Sequence, residues 1–472
     1  MFTKFKKNYI DNNRYIFIIV SVLFGLCFIV QKTHGDDFGP LHSVMPFSFT
    51  NIIKLAFVRS EHTFNRFLAY LVCITINSCP LYVFVITMMI AMYVLLNSLR
   101  ELFTKNNRYE KYLNVLVAFL VMTYSYSDMA SAGWIITSTM HFLIVAFAYL
   151  SLIPIKKVYN SEKISTIELI AYIVILIYAS NMEQGMAFTF VCYVTSSIYF
   201  AFKKRKCKEI YILTCISIMC AFITVISRIG TERSYNEIIK YFPTIGMINV
   251  ISKIEIGLSS SLYWLFFENH FFTIIVFMIF TLFIFAKYRN IFYRTLSILP
   301  EAMIIFLKGY MSSNISVNAF EIKPIELGTS NFGLINLISI NNISTYVQYF
   351  IYTLLITITI VEIYLLVDKF EDFLLITVLL IGGFGSRMAI ALTPNVFISH
   401  FRTCIYFAFS IIVIGIKIYQ INIDKISDKF NKYLNYAYLL GTCMMLLYTF
   451  VYIYNYMGSS LFELLKEIII YM

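Results

Sequence analysis

Apolar residues occur along this chain in blocks of bilayer length, separated by short polar stretches in which Lys and Arg gather. A hydrocarbon core of ~30 Å needs ~20 helical residues, fewer where flanking side chains snorkel or the bilayer thins. On that rule the pattern predicts thirteen spans: 15–30, 67–97, 113–124, 134–154, 166–180, 186–202, 209–227, 271–286, 295–307, 346–367, 372–393, 403–416 and 434–455. The runs at 113 and 295 are short. The stretch 67–97 exceeds one simple crossing, and Pro80 is expected to divide a juxtamembrane helix from the true span.

Composition points the same way. Hydrophobic residues make up 60% of the 472 residues and charged residues 13%, and the mean hydropathy is +0.77. These values exclude a disordered chain, a collagen-like chain and a soluble multidomain enzyme. The net charge of +11 lies between apolar blocks, so it is read as a topology signal and no nucleic-acid partner is expected. Segments 1–14, 98–112, 155–165, 203–208, 287–294, 368–371 and 417–433 hold 24 of the 37 basic residues in 75 positions. The opposite connections hold 12 in 157 positions, which places the amino terminus in the cytoplasm and the carboxyl terminus outside a cell membrane. The first span follows Lys4, Lys6 and Lys7, but Val30-Gln31-Lys32 lacks a small-residue cleavage pattern, and a retained anchor is expected.

The expected architecture is a single integral membrane domain over residues 1–472: an all-α polytopic transmembrane bundle of about thirteen spans, with long outer loops carrying interfacial helices. Those loops are 31–66, 228–270 and 308–345, of 36, 43 and 38 residues. Connections of that length usually serve a purpose. Ile238, Ile239, Tyr241 and Phe242, followed by Ile245, Ile248 and Ile251, suit an amphipathic helix at the outer interface. The nine cysteines are scattered, mostly in apolar runs, without CxxC or Cys/His ligand spacing, so neither a disulfide scaffold nor sulfur ligation is expected.

Candidate chemistry falls at the outer ends of spans. Asp36 and Asp37, between Gly35 and Phe38-Gly39-Pro40, offer a general base or a ligand for a divalent cation; the plainer reading is a solvated turn. Arg66 stands where that loop re-enters the membrane, after Glu61, His62 and Asn65, and can bind a phosphate or simply snorkel. Trp134 leads into a span carrying Thr137, Ser138, Thr139 and His141, a wall suited to a sugar or an ordinary set of interhelical hydrogen bonders. Glu183 sits in the turn Ser180 to Gly185 with no basic neighbour in sequence, aimed at bulk water or into a chamber. Arg228 and Arg233 open the central outer loop, Arg387 lies within a span, and Arg402 follows Pro394-Asn395. Intramembrane arginine is costly enough to suggest function, and several arginines on one face would hold a phosphate or pyrophosphate.

The order of these features carries a resemblance. An anchor followed by Gly35-Asp36-Asp37-Phe38, then Asn65-Arg66-Phe67-Leu68 entering the second span, resembles bacterial polytopic proteins of GT-C-type glycosyltransferase architecture, nearest the relatives of the Gtr-type serotype-converting glucosyltransferases. Trp134 to Ser138 looks like their aromatic and polar turn at the fourth span. Asn181 to Gln184 is similar to the acidic turn after their fifth, and Pro394 to Arg402 to their late proline and arginine segment. Ser227 to Thr231 departs from the Pro-Gly-Asn-like turn of that pattern, keeping only Gly230 and, further on, Arg233. The resemblance implies transfer of a sugar from a polyprenyl-phosphate carrier to a cell-surface glycan or lipid-linked acceptor on the outer leaflet. Asp36 or Asp37 would be the base and the arginines the holders of the leaving phosphate. A monophosphate carrier would not require a metal ion; a pyrophosphate would favour one. A glycan polymerase or ligase relying on Arg228 and Arg233, and a lipid-linked sugar flippase or transporter, are the alternatives. The absence of a sequence repeat and of polar residues grouped at mid-membrane counts against the last.

Overall fold

The computed structural model describes residues 13–30, 48–61, 64–103, 109–124, 126, 135–205, 207–228, 236, 249–268, 270–312, 343–393 and 400–457. Among them every regular element is helical. In chain order these are α1 (Tyr15–Cys27), α2 (Phe49–Arg59), α3 (Phe67–Asn77), α4 (Leu81–Phe103), α5 (Glu110–Thr123), α6 (Ile135–Tyr159), α7 (Thr166–Ala179), α8 (Glu183–Phe202) and α9 (Lys208–Arg228). There follow α10 (Val250–Tyr263), α11 (His270–Lys287), α12 (Ile291–Ser312), α13 (Ile343–Leu366), α14 (Phe370–Ala391), α15 (Ile405–Asn422) and α16 (Asp428–Met457).

Eight of the described helices are long and apolar enough to cross a membrane. A ninth crossing results if Val250–Glu268 and Phe271–Lys287, bent by 78°, form one broken span. Their outward faces are apolar, as on α9, where Met219, Phe222, Val225 and Ile226 are all exposed. Side chains of that kind in contiguous rows require lipid, since a water-facing monomer cannot carry them. The chain is a multi-pass α-helical membrane protein.

The thirteen apolar runs all fall on helices, but length separates them. Tyr15–Cys27, Phe67–Asn77 and Thr166–Ala179 are apolar yet short; 11 to 14 residues rise only ~16–21 Å, against a core of ~30 Å. Helix α12 has Pro300 in its interior and carries Arg294, Glu301 and Lys308. Pro80 acts as expected: α3 ends at Asn77 and α4 begins at Leu81. The described cysteines are free thiols, Cys73 and Cys79 included.

The chain forms two compact units, one of residues 1–231 with 432–472, the other of 232–431. In the first, α1 packs along α4. Aromatic rings line this region: Phe24 of α1 meets Phe142 of α6 at 5.4 Å, and Phe28, just beyond α1, meets Phe84 of α4 and Tyr126 at 5.3 and 5.4 Å, edge to face in the last two pairs. One end of this unit is ionic. Glu110 accepts from Arg14 (Nε, 2.9 Å) and Arg100 (Nη1, 2.6 Å), Lys156 reaches Glu101 at 3.3 Å, and Arg205 donates to the carbonyl of Tyr159 at 2.7 Å. Segments 1–14, 98–112, 155–165 and 203–208 thus meet at one end, as the alternation of basic connections requires.

In the second unit α11 packs against α12, α13 and α15, and α14 lies along α15. Trp264, fully buried, fills its centre between Phe272 (5.7 Å) and Phe407 (6.3 Å). The basic connections again share an end: Lys287 binds Asp368 at 2.6 Å, and Lys417 binds Asp372 at 2.8 Å. The α14–α15 contact depends on Gly383, where an added Cβ would fall 2.3 Å from Ser410 Oγ and 2.8 Å from the carbonyl oxygen of Tyr406. Gly383→Ala is expected to cost about 1–3 kcal/mol by overpacking. Thermal unfolding of the detergent-solubilised variant checks this, and an unchanged midpoint would mean the two helices separate freely.

Candidate functional site

In the first unit the structure joins two of the sequence candidates directly. Glu183 Oε1 and Oε2 both accept from Arg66 Nε at 3.0 Å, and Arg66 Nη2 lies 2.9 Å from Oε2. Asn65 Nδ2 adds a third donor to Oε1 at 3.1 Å. Both side chains of the pair are nearly enclosed, at 14% and 13% exposure, so solvent screens them little. Glu183 points neither to bulk water nor into an open chamber, the two directions expected for it; its partner is a residue 117 positions away.

The backbone explains how the pair forms. Arg66 takes the left-handed conformation (φ 61°) at the entry to α3, a geometry uncommon outside glycine. The turn at Asn181 fixes it from three directions. The carbonyl of Asn181 accepts from the Arg66 amide at 2.9 Å, its Nδ2 donates to the carbonyl of Phe64 at 2.9 Å, and its Oδ1 accepts from the Ala69 amide at 3.0 Å. That last bond caps an amide of the first turn of α3. Glu183, as first residue of α8, lies where the helix dipole favours a carboxylate. The expected outer loop and the expected outer turn are therefore clasped together.

The helix that carries His141 packs beside this clasp through neighbouring residues. His141 is half-buried within a π-helical turn, 138–143, in α6, where Thr137, Ser138 and Thr139 are buried. Met140 and Ile144 of that stretch pack with Ala69 and Cys73 of α3 and with Met182. Wider turns of this type recur at functional sites because they displace one side chain from helical register. Arg66, Glu183 and the His141 turn thus belong to one neighbourhood of the first unit.

In the second unit Arg387 is 1% exposed within the apolar helix α14, and its Nη2 donates to Ser260 Oγ on α10 at 3.3 Å. The approach of those helices depends on Gly257, where a Cβ would stand 2.4 Å from Ala391 Cβ. Arg402, half-buried, lies in the short helical turn His400–Cys404, which packs against α14. The two arginines are therefore on neighbouring elements. Helix α10 falls within 228–270, read from sequence as an outer loop; its Ser259, Ser260 and Ser261 dilute the apolar signal while letting helices approach.

Arg228 closes α9, but its side chain lies outside the described residues, as do Asp36, Asp37, Trp134 and Arg233. Among the described residues no cluster of three His, Cys, Asp or Glu is set to hold a metal ion.

Two buried acids were not singled out from sequence. Glu301 and Glu362 are 8% and 0% exposed, on α12 and α13. The rule that marks Arg387, an ionisable residue inside an apolar run, marks them too. They correct the expectation that polar groups avoid the interior of the spans.

Comparison of the chain with protein-family models, with curated proteins and with solved structures returned no match. The class that fold and site define is that of a polytopic helical membrane protein with charged side chains held inside its helix bundles.

Proposed function

We propose that this protein is a membrane glycosyltransferase that moves a sugar from a polyprenyl-phosphate carrier to a cell-surface glycan or lipid-linked acceptor on the outer face of a cell membrane. The observation that carries this reading is Arg387, an enclosed guanidinium on an apolar helix, with Arg402 on the adjoining turn. A guanidinium fork matches phosphate oxygens, and in a site of low dielectric it stabilises the charge that grows on the leaving phosphate. A GT-C-like bundle of about thirteen spans, with the amino terminus cytoplasmic, puts the clasp at Arg66 and Glu183 on the outer side. On the resemblance, Asp36 or Asp37 would act as base for the acceptor hydroxyl. The clasp serves this scheme by fixing where that loop ends.

Asp36→Asn and Asp37→Asn, made separately, test it. One of the two is expected to abolish glycan modification in cells while membrane levels stay normal. Full activity in both would remove the catalytic assignment. A second reading, a flippase for the same lipid-linked sugar, is favoured by Glu301 and Glu362, because acids enclosed in spans are common on transport pathways. It would leave the sugar attached to its carrier.

A further inference from the structure

Helices α12 and α13 each turn one carboxylic acid into an enclosed face. On α13 the buried positions are Ile351, Tyr352, Leu355, Ile358, Glu362, Ile363 and Leu366; on α12 they are Ser297, Glu301 and Ile304, with Pro300 also buried. Both follow helical spacing, so both acids face protein while Ile305, Phe306, Ile360 and Tyr364 face outward. The two helices pack against each other and against α11. Neither oxygen of Glu362 has a hydrogen-bond partner, and Oε2 of Glu301 has none.

The remaining oxygen shows what charge the pair carries. Thr281 Oγ1, on α11, lies 2.6 Å from the carbonyl oxygen of Ser297 and 2.7 Å from Glu301 Oε1. A hydroxyl has one proton, and the carbonyl can only accept. If Thr281 donates to Ser297, the contact with Glu301 is attractive only when the carboxyl is protonated and itself donates to the Thr281 hydroxyl oxygen. If Thr281 donates to Glu301, its hydroxyl oxygen faces the carbonyl oxygen of Ser297 at 2.6 Å with no hydrogen between them. Two enclosed carboxylates without a cation would in any case be far too costly.

We propose that Glu301 and Glu362 form a proton-binding site within the helix bundle, independent of the sugar-transfer reading. The pair takes up and releases protons, and Thr281 accepts from the protonated Glu301 carboxyl. Among the described residues neither acid makes an ion pair, and the charged groups on the packed elements are engaged away from them. Lys287 binds Asp368 and the carbonyl of Leu365, Arg294 binds the carbonyls of Tyr288 and Phe285, and Lys417 binds Asp372. Glu268 lies in the turn before α11 and Lys308 near the end of α12. Tyr288 donates to the Leu365 carbonyl, Tyr419 to Asn431, and Tyr349 to Glu255. Glu362 lies four residues from the end of α13 at Leu366, a path of ~6 Å along the helix, and Asp368 follows in the connection beyond it.

The test is labelling of the full-length protein in membranes with dicyclohexylcarbodiimide, a hydrophobic reagent. The protonated acid transfers its proton to a carbodiimide nitrogen, the carboxylate adds to the central carbon, and the adduct rearranges to a stable N-acylurea without a leaving group. Labelling mapped by mass spectrometry to Glu301 or Glu362, falling as pH rises and indifferent to sodium, is the expected result. Glu362→Gln and Glu301→Gln, isosteric with the neutral acid, should fold normally and each lose the adduct at its own position. Absence of labelling at both acids across the pH range overturns the proposal without recourse to any variant. Protection by sodium at constant pH also overturns it, assigning the site to a metal cation instead.

Discussion

Arg66→Ala is expected to lower the stability of the folded protein by about 3–5 kcal/mol, because it strands the nearly enclosed Glu183 carboxylate without its cation. Three donor contacts from Arg66 and one from Asn65 converge on the carboxylate. Glu183→Gln should cost less, since an amide keeps a hydrogen-bond acceptor for Arg66 and Asn65. The double change Arg66→Met with Glu183→Leu should recover most of the loss, because removing both charges also removes their desolvation. Thermal unfolding in detergent measures all three. If Arg66→Ala melts with the parent protein, the clasp is incidental and the expected outer loop is anchored by other contacts.

Arg387→Ala is expected to reduce sugar transfer by ~10²–10³-fold, the scale of losing one preorganised group at a developing negative charge. Arg387→Lys should fall between, since it keeps the charge and loses the planar fork. The discriminating quantity is binding of polyprenyl phosphate. Under the transfer reading both variants bind it more weakly, the alanine variant most. A variant that folds and still binds the carrier as tightly as the parent would make Arg387 a structural residue, committed to Ser260 and the packing of α10 on α14.

How far the sequence foretold this can be judged element by element. The apolar runs marked helix positions well because lipid imposes a continuous signal on every span, and Pro80 breaks the helix where its ring and missing amide hydrogen demand. Length was harder to read. Apolarity alone does not distinguish a crossing from a short helix such as Tyr15–Cys27, which finds its partner in α4. Helix α10 was hidden in a loop because its serines are polar by composition yet small enough to pack. The clasp was invisible for a different reason. Arg66 and Glu183 were each legible as unusual, but nothing local encodes a pairing across 117 positions, so each was assigned a partner outside the protein. Arg387 is legible, being charged within an apolar run, and Glu301 and Glu362 carry the same signal.

The charge alternation was the most informative pattern of all. It grouped connections by side of the membrane, and the ion pairs then join members of the same group: Lys156 with Glu101, Lys287 with Asp368, Lys417 with Asp372. Likewise the Arg66–Glu183 pair joins two segments assigned to the opposite side. These contacts are partly exposed in the first group and contribute little energy each.

The central claim is chemical, that a glycosyl bond to a lipid phosphate is broken. The most direct measurement uses the purified full-length protein in liposomes with a polyprenyl-phosphate sugar labelled in the sugar and a glycan acceptor. The account expects label to appear covalently on the acceptor, with unglycosylated polyprenyl phosphate released in equal amount. Label that stays on its lipid, whether or not it changes leaflet, would contradict it.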